Sequence, residues 1–326
     1  MAEPPLLLCP GCRTRDDAGT LHVRTLEPAG DVLACECGRR HPVIDGVPLL
    51  LADPADVPRA GLVEPDLSPE AAAALAEGGP DDAAWPRHLE HLSIYLDAHW
   101  GDRAEPAPDV EPFASRALVD AVAALSPVPT CVELGCSTGR FVAELARTAE
   151  HVVGLDLSLG AVRRARHLLD GEPVAYARRI VGRHYAPARA AAGDRAVPAA
   201  RRTLVCGDAL DPPLLPAAFQ RVVALNLLDA VPRPALLLRV LDGLCAPGGE
   251  VVLASPFAWQ STVMDEPERL GGADPARDLA DRLRTGRGLG SRYEILEQTD
   301  LPWTLRRDAR SAVAYRTHYL RARKLA

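Results

Sequence analysis

The chain holds a single lysine, Lys324, among its 37 basic residues, so arginine carries almost all of its positive charge. Arginine clusters in such a chain are a habit of composition before they are a sign of a partner. No apolar run approaches the roughly 18–20 residues that span a bilayer, which excludes a transmembrane helix from the expectation. The opening, MAEPPLLLCPGC, lacks the basic and apolar regions of a secretory signal. A cytoplasmic protein with no membrane partner is therefore expected. The formal charge is −7, and basic residues are not interleaved with aromatics, which argues against nucleic acid as a partner. Two nucleotide loops are missing as well. There is no Gly-x-x-x-x-Gly-Lys-Ser/Thr, and the glycine-punctuated turn that does occur is not Gly-x-Gly-x-x-Gly.

What is present suits one α/β domain plus something small: 326 residues, 48% of them apolar, enough for a sizeable core. Residues 1–52 carry four of the eight cysteines. Residues 53–85, rich in proline, alanine and acid, predict a linker with one short helix capped by Ser68. From about Trp85, strand-like runs alternate with helical ones: TCVELGC, HVVGLDL, TLVCGDAL, RVVALNLL and GEVVLASPF. This alternation predicts a mostly parallel sheet with helices on both faces. The tail, RYEILEQTDLPWTLRR and AVAYRTHYLRAR, predicts an antiparallel pair at the sheet edge. Between the second and third strands lies a long arginine-rich stretch, Arg163 to Arg202, expected as a solvated face or, failing that, a docking surface.

Cys9-Pro-Gly-Cys12 and Cys35-Glu-Cys37 frame 22 residues. Two close pairs at this separation supply four thiolates to a tetrahedral zinc, and so small a segment needs such a staple. Two disulfides or free thiols are the alternatives; a reducing cytoplasm disfavours the first. His41 is a further candidate to stand in for one thiolate. Residues 6–51, above all CGRRHPVIDGVPLL, resemble the zinc ribbon of activator subunits of RNA- and protein-modifying methyltransferases. That pattern has Cys-x-x-Cys where this chain has Cys-x-Cys.

The turn Gly135-Cys136-Ser137-Thr138-Gly139 follows Glu133 at the end of the first strand. An acidic residue there suits a cationic ligand better than a phosphate, and the two glycines let the backbone close around a compact amino-acid moiety. Asp156, with Leu157 after it, ends the second strand, where a carboxylate can take both ribose hydroxyls. Asp208, ahead of Ala209 at the end of the third, can accept from an adenine amino group. In this order the pieces resemble class I S-adenosylmethionine-dependent methyltransferases. The resemblance implies S-adenosylmethionine as cofactor and a Rossmann-like, mostly parallel seven-stranded sheet with an antiparallel last strand over residues 86–326. It places Glu133 and the Gly135–Gly139 backbone at the methionine end, Asp156 on the ribose, and Asp208 and Ala209 beside adenine.

The fourth strand ends ALNLLDAVPRP, beside the transferred methyl in this class. One expectation is modest: Asp229 caps the following helix, with Pro232 in its first turn, and Asn226 is a turn residue. The other rests on resemblance. NLLD before a proline-punctuated helix is similar to the same segment of protein-histidine N-methyltransferases. YLDAHWG, GCSTGR, GLDLS, NLLDAVPRP, SPFAWQSTVMDEPERLGG and DLPWTLRRDAR resemble, in order, the methyltransferase half of ovothiol synthases. This implies an N-methyltransferase for an imidazole of histidine, a derivative, or a peptide. Asp229 would accept the ring N–H and Asn226 would orient the ring. Ala230 stands where those enzymes have arginine, and the ribbon is foreign to them. Tyr95, His99 and Trp100, on a predicted helix, either close over the cofactor or pack the helix. Arg306 and Arg307 are candidates for a substrate carboxylate, and Trp259 is expected in the core. A non-imidazole acceptor, or a non-catalytic adaptor that keeps the fold, are the alternatives.

Overall fold

The computed structural model of the chain describes residues 7–15, 21–52, 94–103, 116–182 and 184–325. The expected linker, 53–85, with its cap at Ser68 and its end at Trp85, lies outside the described residues. The amino-terminal strands are short. β1 (Thr14–Arg15) pairs with β2 (Leu21–His22), and β3 (Glu27–Pro28), β4 (Val32–Ala34), β5 (Arg40–Ile44) and β6 (Val47–Pro48) form an antiparallel meander. None exceeds five residues, too little to bury a core of its own.

This segment is not set apart from the rest of the chain. Beyond β6, Leu49 bridges Cys206 in parallel, and the Leu50 N–H donates to the Cys206 carbonyl at 2.8 Å. Alternation along extended backbone then sends Leu49 and Leu51 into one face's core and Leu50 into the other's. VPLLL thus covers the edge of the large sheet, where an open strand would otherwise expose its backbone.

The large sheet is built from β7 (Val128–Leu134), β8 (Ala149–Asp156), β11 (Arg202–Cys206), β12 (Phe219–Leu225), β13 (Cys245–Ser255), β14 (Tyr293–Arg306) and β15 (Ala312–Lys324). A hairpin of β9 (Val174–Val181) and β10 (His184–Ala190) stands apart. The sheet order is β11-β8-β7-β12-β13-β15-β14, with β11 through β13 parallel and the last two strands antiparallel. Its parallel strands are almost continuously apolar because both faces are covered. One face carries α2 (Ala117–Ala123), α3 (Arg140–Leu145) and α4 (Leu159–Leu169). The other carries α5 (Pro234–Leu244) and α6 (Pro275–Thr285). The predicted alternation and the antiparallel tail are both found. Strand order reverses between β8–β7 and β7–β12, and α/β sheets open their crevice there, at the strands' carboxyl ends.

The arginine-rich stretch departs in part from expectation. Arg189 and Arg201 are exposed, but several of its other described arginines are committed to partners rather than to solvent. Arg163 and Arg166 pair with Asp45, Arg195 with Glu144, and Arg202 with Asp170. Arg201 donates to the carbonyls of Ala146 and Ala149. Arg178, on β9, is buried against Asp97 at 3.0 Å, and the Tyr176 hydroxyl donates to the same carboxylate at 2.5 Å. Asp97 belongs to α1, residues 94–100, so the insert buttresses this helix from one side. From the other, Arg140 donates to the His99 carbonyl at 3.0 Å, pairs with Asp102, and lies 5.3 Å from the Trp100 ring centre. Tyr176→Phe removes two buried hydrogen bonds, one donated to Asp97 and one accepted from Arg178, and keeps the ion pair. A loss of about 2 kcal/mol in chemical unfolding is expected; an unchanged midpoint would show that the ion pair holds this side of the helix without the hydroxyl.

Candidate active site

A cleft opens where β7, β8, β12 and β13 end. Its floor is the turn after β7, where Gly135 has φ +78°. That left-handed conformation favours glycine, and a Cβ there would press on the Leu227 side chain, with Cδ1 at 2.9 Å. Gly139, at φ +79°, caps α3, and its missing Cβ lets Ala165 of α4 approach. Non-glycine residues with positive φ also gather at these strand ends: Ser137 at +47°, Asn226 at +54° and Phe257 at +52°. Such conformations cost on the order of 1–3 kcal/mol and persist where the surroundings hold them, often at functional sites.

Glu133 lies beneath the cradle, almost wholly buried, on the face that meets α3. Burial, then the nearby Asp156, pushes its carboxyl well above the usual range, while the Val142 N–H opposes that shift. Its Oε2 has no hydrogen-bond partner among the described residues, nor do Asn226 Oδ1, Thr138 Oγ1 and His99 Nδ1. Unpaired buried polar atoms are costly, and these four, on His99 and Asn226 in the cleft's lining and on Glu133 and Thr138 buried at its cradle, mark a place built for a ligand. Asp156 is fixed by the backbone N–H groups of Ser137 (2.8 Å) and Ser158 (2.9 Å), and burial raises its pKa.

Asp229 is not a helix cap: α5 begins at Pro234, with Arg233 before it, and Pro232 lies outside the helix. Its buried carboxylate accepts from the Ser255 hydroxyl at 2.9 Å and from the Ala258 N–H at 3.0 Å. Burial raises its pKa too. Asn226 follows β12 directly, and its N–H donates to the Ala254 carbonyl at 2.7 Å.

The wall opposite is aromatic. Tyr95 and His99 project from α1, and the His99 ring meets Phe141 edge-on at 5.6 Å and Trp303 at 6.2 Å. Burial, then the charge of Arg140, holds the His99 imidazole down, to about 3, so it is neutral. Burial, then Asp156, pushes Tyr95 up to about 12.

Of the residues expected at the site, Tyr95, His99, Gly135, Ser137, Asp156, Asn226 and Asp229 line one cleft. Glu133, Cys136, Thr138 and Ala209 are buried and do not line it, Leu157 packs on the core, and Gly139 holds α3 to α4. Trp100 is packed in the core, its Nε1 donating to the Thr138 carbonyl at 2.9 Å. Asp208 accepts from the Leu210 N–H at 2.8 Å, turning its own loop after β11, and is not among the cleft's lining residues. Arg306 is not brought there either. Trp303 and Leu305 line the cleft, and strand alternation turns the next residue to the other side. Trp259 packs on Phe257, outside the lining. Phe141, Gln260, Leu305 and Tyr315 complete the cleft without having been expected. Trp303 and Ser255 lay in motifs singled out above (DLPW and the run into SPFAW), but Tyr315 had no sequence signal.

The four amino-terminal cysteines form a second centre. The sulfurs of Cys9, Cys12, Cys35 and Cys37 lie within 4.8 Å of one another. Cys9 and Cys37 are 3.9 Å apart, and Cys12 and Cys35 3.8 Å, too far for disulfides. Zinc–sulfur bonds of about 2.3 Å in a tetrahedron put sulfurs roughly 3.8 Å apart, so the cluster fits zinc despite its Cys-x-Cys. His41 Nε2 stands 3.6 Å from the Cys9 sulfur, beside the four thiols rather than in place of one.

Residues 132–253 match the family model of a methyltransferase domain. No protein of curated function matches the chain in sequence. Among solved structures, the chain is similar to the N-methyltransferase NodS from Bradyrhizobium japonicum, at 14% identity and a TM-score of 0.40 over 76% of this chain and 100% of that one. The [4+2]-cyclase SpnF is 16% identical at a TM-score of 0.45, over 79% and 97%. A complex of the Haloferax volcanii Trm112 methyltransferase activator with a putative methyltransferase gives 16% and 0.42, over 72% and 94%. No helix of the described residues is long and apolar enough to cross a membrane. The α/β sheet, mostly parallel and ending in antiparallel strands, is typical of methyltransferases, and residues 132–253 match the model of a methyltransferase domain.

Proposed function

We propose that the chain is an S-adenosylmethionine-dependent N-methyltransferase that acts on an imidazole nitrogen of histidine, a histidine derivative or a histidine-containing peptide. One observation carries the cofactor half: unpaired, buried Glu133 Oε2 and Asn226 Oδ1, both acceptors, at a glycine cradle where a methyltransferase domain is matched. Acceptors without donors suit a ligand that brings an ammonium group and a sulfonium. In this assignment Glu133 and the Gly135–Gly139 backbone hold the methionine end, Asp156 the ribose, and Asp208 with Ala209 the adenine side. The cofactor supplies an electrophilic methyl group.

The chain's own work is to orient the acceptor and keep water out. Asp229, held by Ser255 and Ala258, accepts the ring N–H, so that the other nitrogen's lone pair faces the methyl. Positive charge growing on the ring then meets a fixed carboxylate in a low-dielectric cleft. Asn226 orients the ring, and the aromatic wall of Tyr95, His99 and Trp303 excludes solvent. No strong base is required, because the product imidazolium sheds its proton to water.

Methyl transfer from labelled S-adenosylmethionine, with products read by mass, tests the reading. The panel holds histidine, 4-mercaptohistidine, histidine peptides, non-imidazole amines and RNA. Label on an imidazole nitrogen is expected; label confined to another acceptor removes the substrate half. Asp229→Ala should leave cofactor affinity unchanged and lower kcat by roughly 10²-fold. Equal turnover by the variant and the parent would end the role assigned to Asp229.

A further inference from the structure

The acceptor half of the cleft carries charge of one sign. Asp229 and Ala230 follow β12, Gln260 follows β13, and Trp303, Leu305 and Tyr315 face them from the antiparallel hairpin β14–β15. No arginine or lysine is among the described residues that line the cleft. Neither sequence candidate, Arg306 or Arg307, is among the lining residues, and the insert's arginines at 163, 166, 178, 195 and 202 are committed to Asp45, Asp97, Glu144 and Asp170. Aromatic rings line this space, and an aromatic face favours cations over anions. A carboxylate drawn into this space would lose water, meet Asp229 at close quarters, and find no counter-charge among the described residues that line it.

We propose, resting on the methyl-transfer reading above, that the acceptor's ring enters this cleft with no anionic group near it. A histidine residue inside a peptide, its carboxyl bound as an amide, meets that condition. A free α-amino acid, whose carboxylate sits only three bonds from the ring, does not. The exposed Ala230, at the rim of the lining, is the position that decides this, because a long cationic side chain there would reach over the mouth.

The test uses the full chain saturated with S-adenosylhomocysteine and titrated calorimetrically with matched ligands. Nα-acetylhistidine N-methylamide, free histidine and Nα-acetylhistidine share one ring and differ in charge, and the same three forms of phenylalanine make a second series. The amide is expected to bind at least about tenfold tighter than the anion in the histidine series. Ala230→Arg is expected to close or reverse that gap. Equal or tighter binding of the anion by the parent protein overturns the proposal, as does an Ala230→Arg variant that leaves the order unchanged, or an amide that fails to bind in both series. Failure of the imidazole reading looks different. The phenylalanine series then keeps the order amide over anion, while no histidine form accepts label from S-adenosylmethionine.

Discussion

Asp156→Ala should weaken S-adenosylmethionine binding by roughly 10²–10⁴-fold, since two charge-assisted hydrogen bonds to ribose hydroxyls contribute about 1.5–3 kcal/mol each. The carboxylate does more than meet the ribose in this assignment. It also anchors the N–H of Ser137, inside the cradle, and of Ser158, which caps α4. Without it the cradle loses the bond that holds Ser137 at φ +47°. Asp156→Asn, which keeps an acceptor and loses the charge, should fall between the two. Calorimetric titration of both variants checks this, and an affinity within threefold of the parent for Asp156→Ala would remove Asp156 from the cofactor site.

The same carboxylates give the site a pH dependence of definite sign. Burial raises the pKa values of Glu133, Asp156 and Asp229 above the ordinary carboxylate range. A group raised in the folded state contributes stability that is present below its unfolded pKa and lost as pH rises through the folded one. The ligand-free protein should therefore lose this contribution on going from acid toward neutral pH. A bound sulfonium favours the ionised forms and reverses the preference. Affinity for S-adenosylmethionine should fall as pH drops through the raised range, more steeply than for S-adenosylhomocysteine, whose sulfur is uncharged.

How far the sequence reached depended on whether a feature was local. The strands after Glu133 and before Asp156, Asp208 and Asn226 were legible because two-sided burial makes them apolar throughout, and their ends carry polar residues in order. The tail pair, only partly buried, was legible as two strand-like runs close in sequence. The aromatic wall was not. Trp303 and Tyr315 reach the cleft only because β14 and β15 overrun β13 and fold back over it, a register set by tertiary pairing. Arg306 failed for a local reason that the sequence did contain: a residue next to Leu305 on a strand cannot share its face. The arginines of the insert misled because their partners, Asp45, Asp97 and Glu144, are far away in sequence. VPLLL read as the end of a ribbon, and nothing local to it announces that Leu49 to Leu51 would lie along Cys206.

That edge makes removal of the metal the other large effect. One zinc per chain is expected by elemental analysis, held by Cys9, Cys12, Cys35 and Cys37. Structural zinc sites contribute on the order of 10 kcal/mol to folding of the segment that holds them. Here that segment has strands of two to five residues and little else to hold it. Without a cation the thiols also resist ionising together: the hydrogen bond with Cys37, then burial, pushes Cys12 up to about 12. Stripping the metal should therefore release more than the ribbon. Leu7 bridges Leu214, the Leu8 N–H donates to the Pro213 carbonyl at 3.0 Å, and Arg13 pairs with Asp211, so the loop after Asp208 loses its cover. On the other side Asp45 lets go of Arg163 and Arg166 on α4. Both flanks of the adenosine half loosen together. The expected result in a strong chelator under reducing conditions is a melting temperature lower by about 5–10 °C, as a loss of a few kcal/mol produces in a chain of this size. S-adenosylmethionine affinity should fall with it, and both should return with added zinc. Cys12→Ser should behave as the chelated protein does. Metal-free protein as isolated, with a melting temperature indifferent to chelator, would mean that Leu8 and Leu49 to Leu51 hold the ribbon against the sheet without a metal.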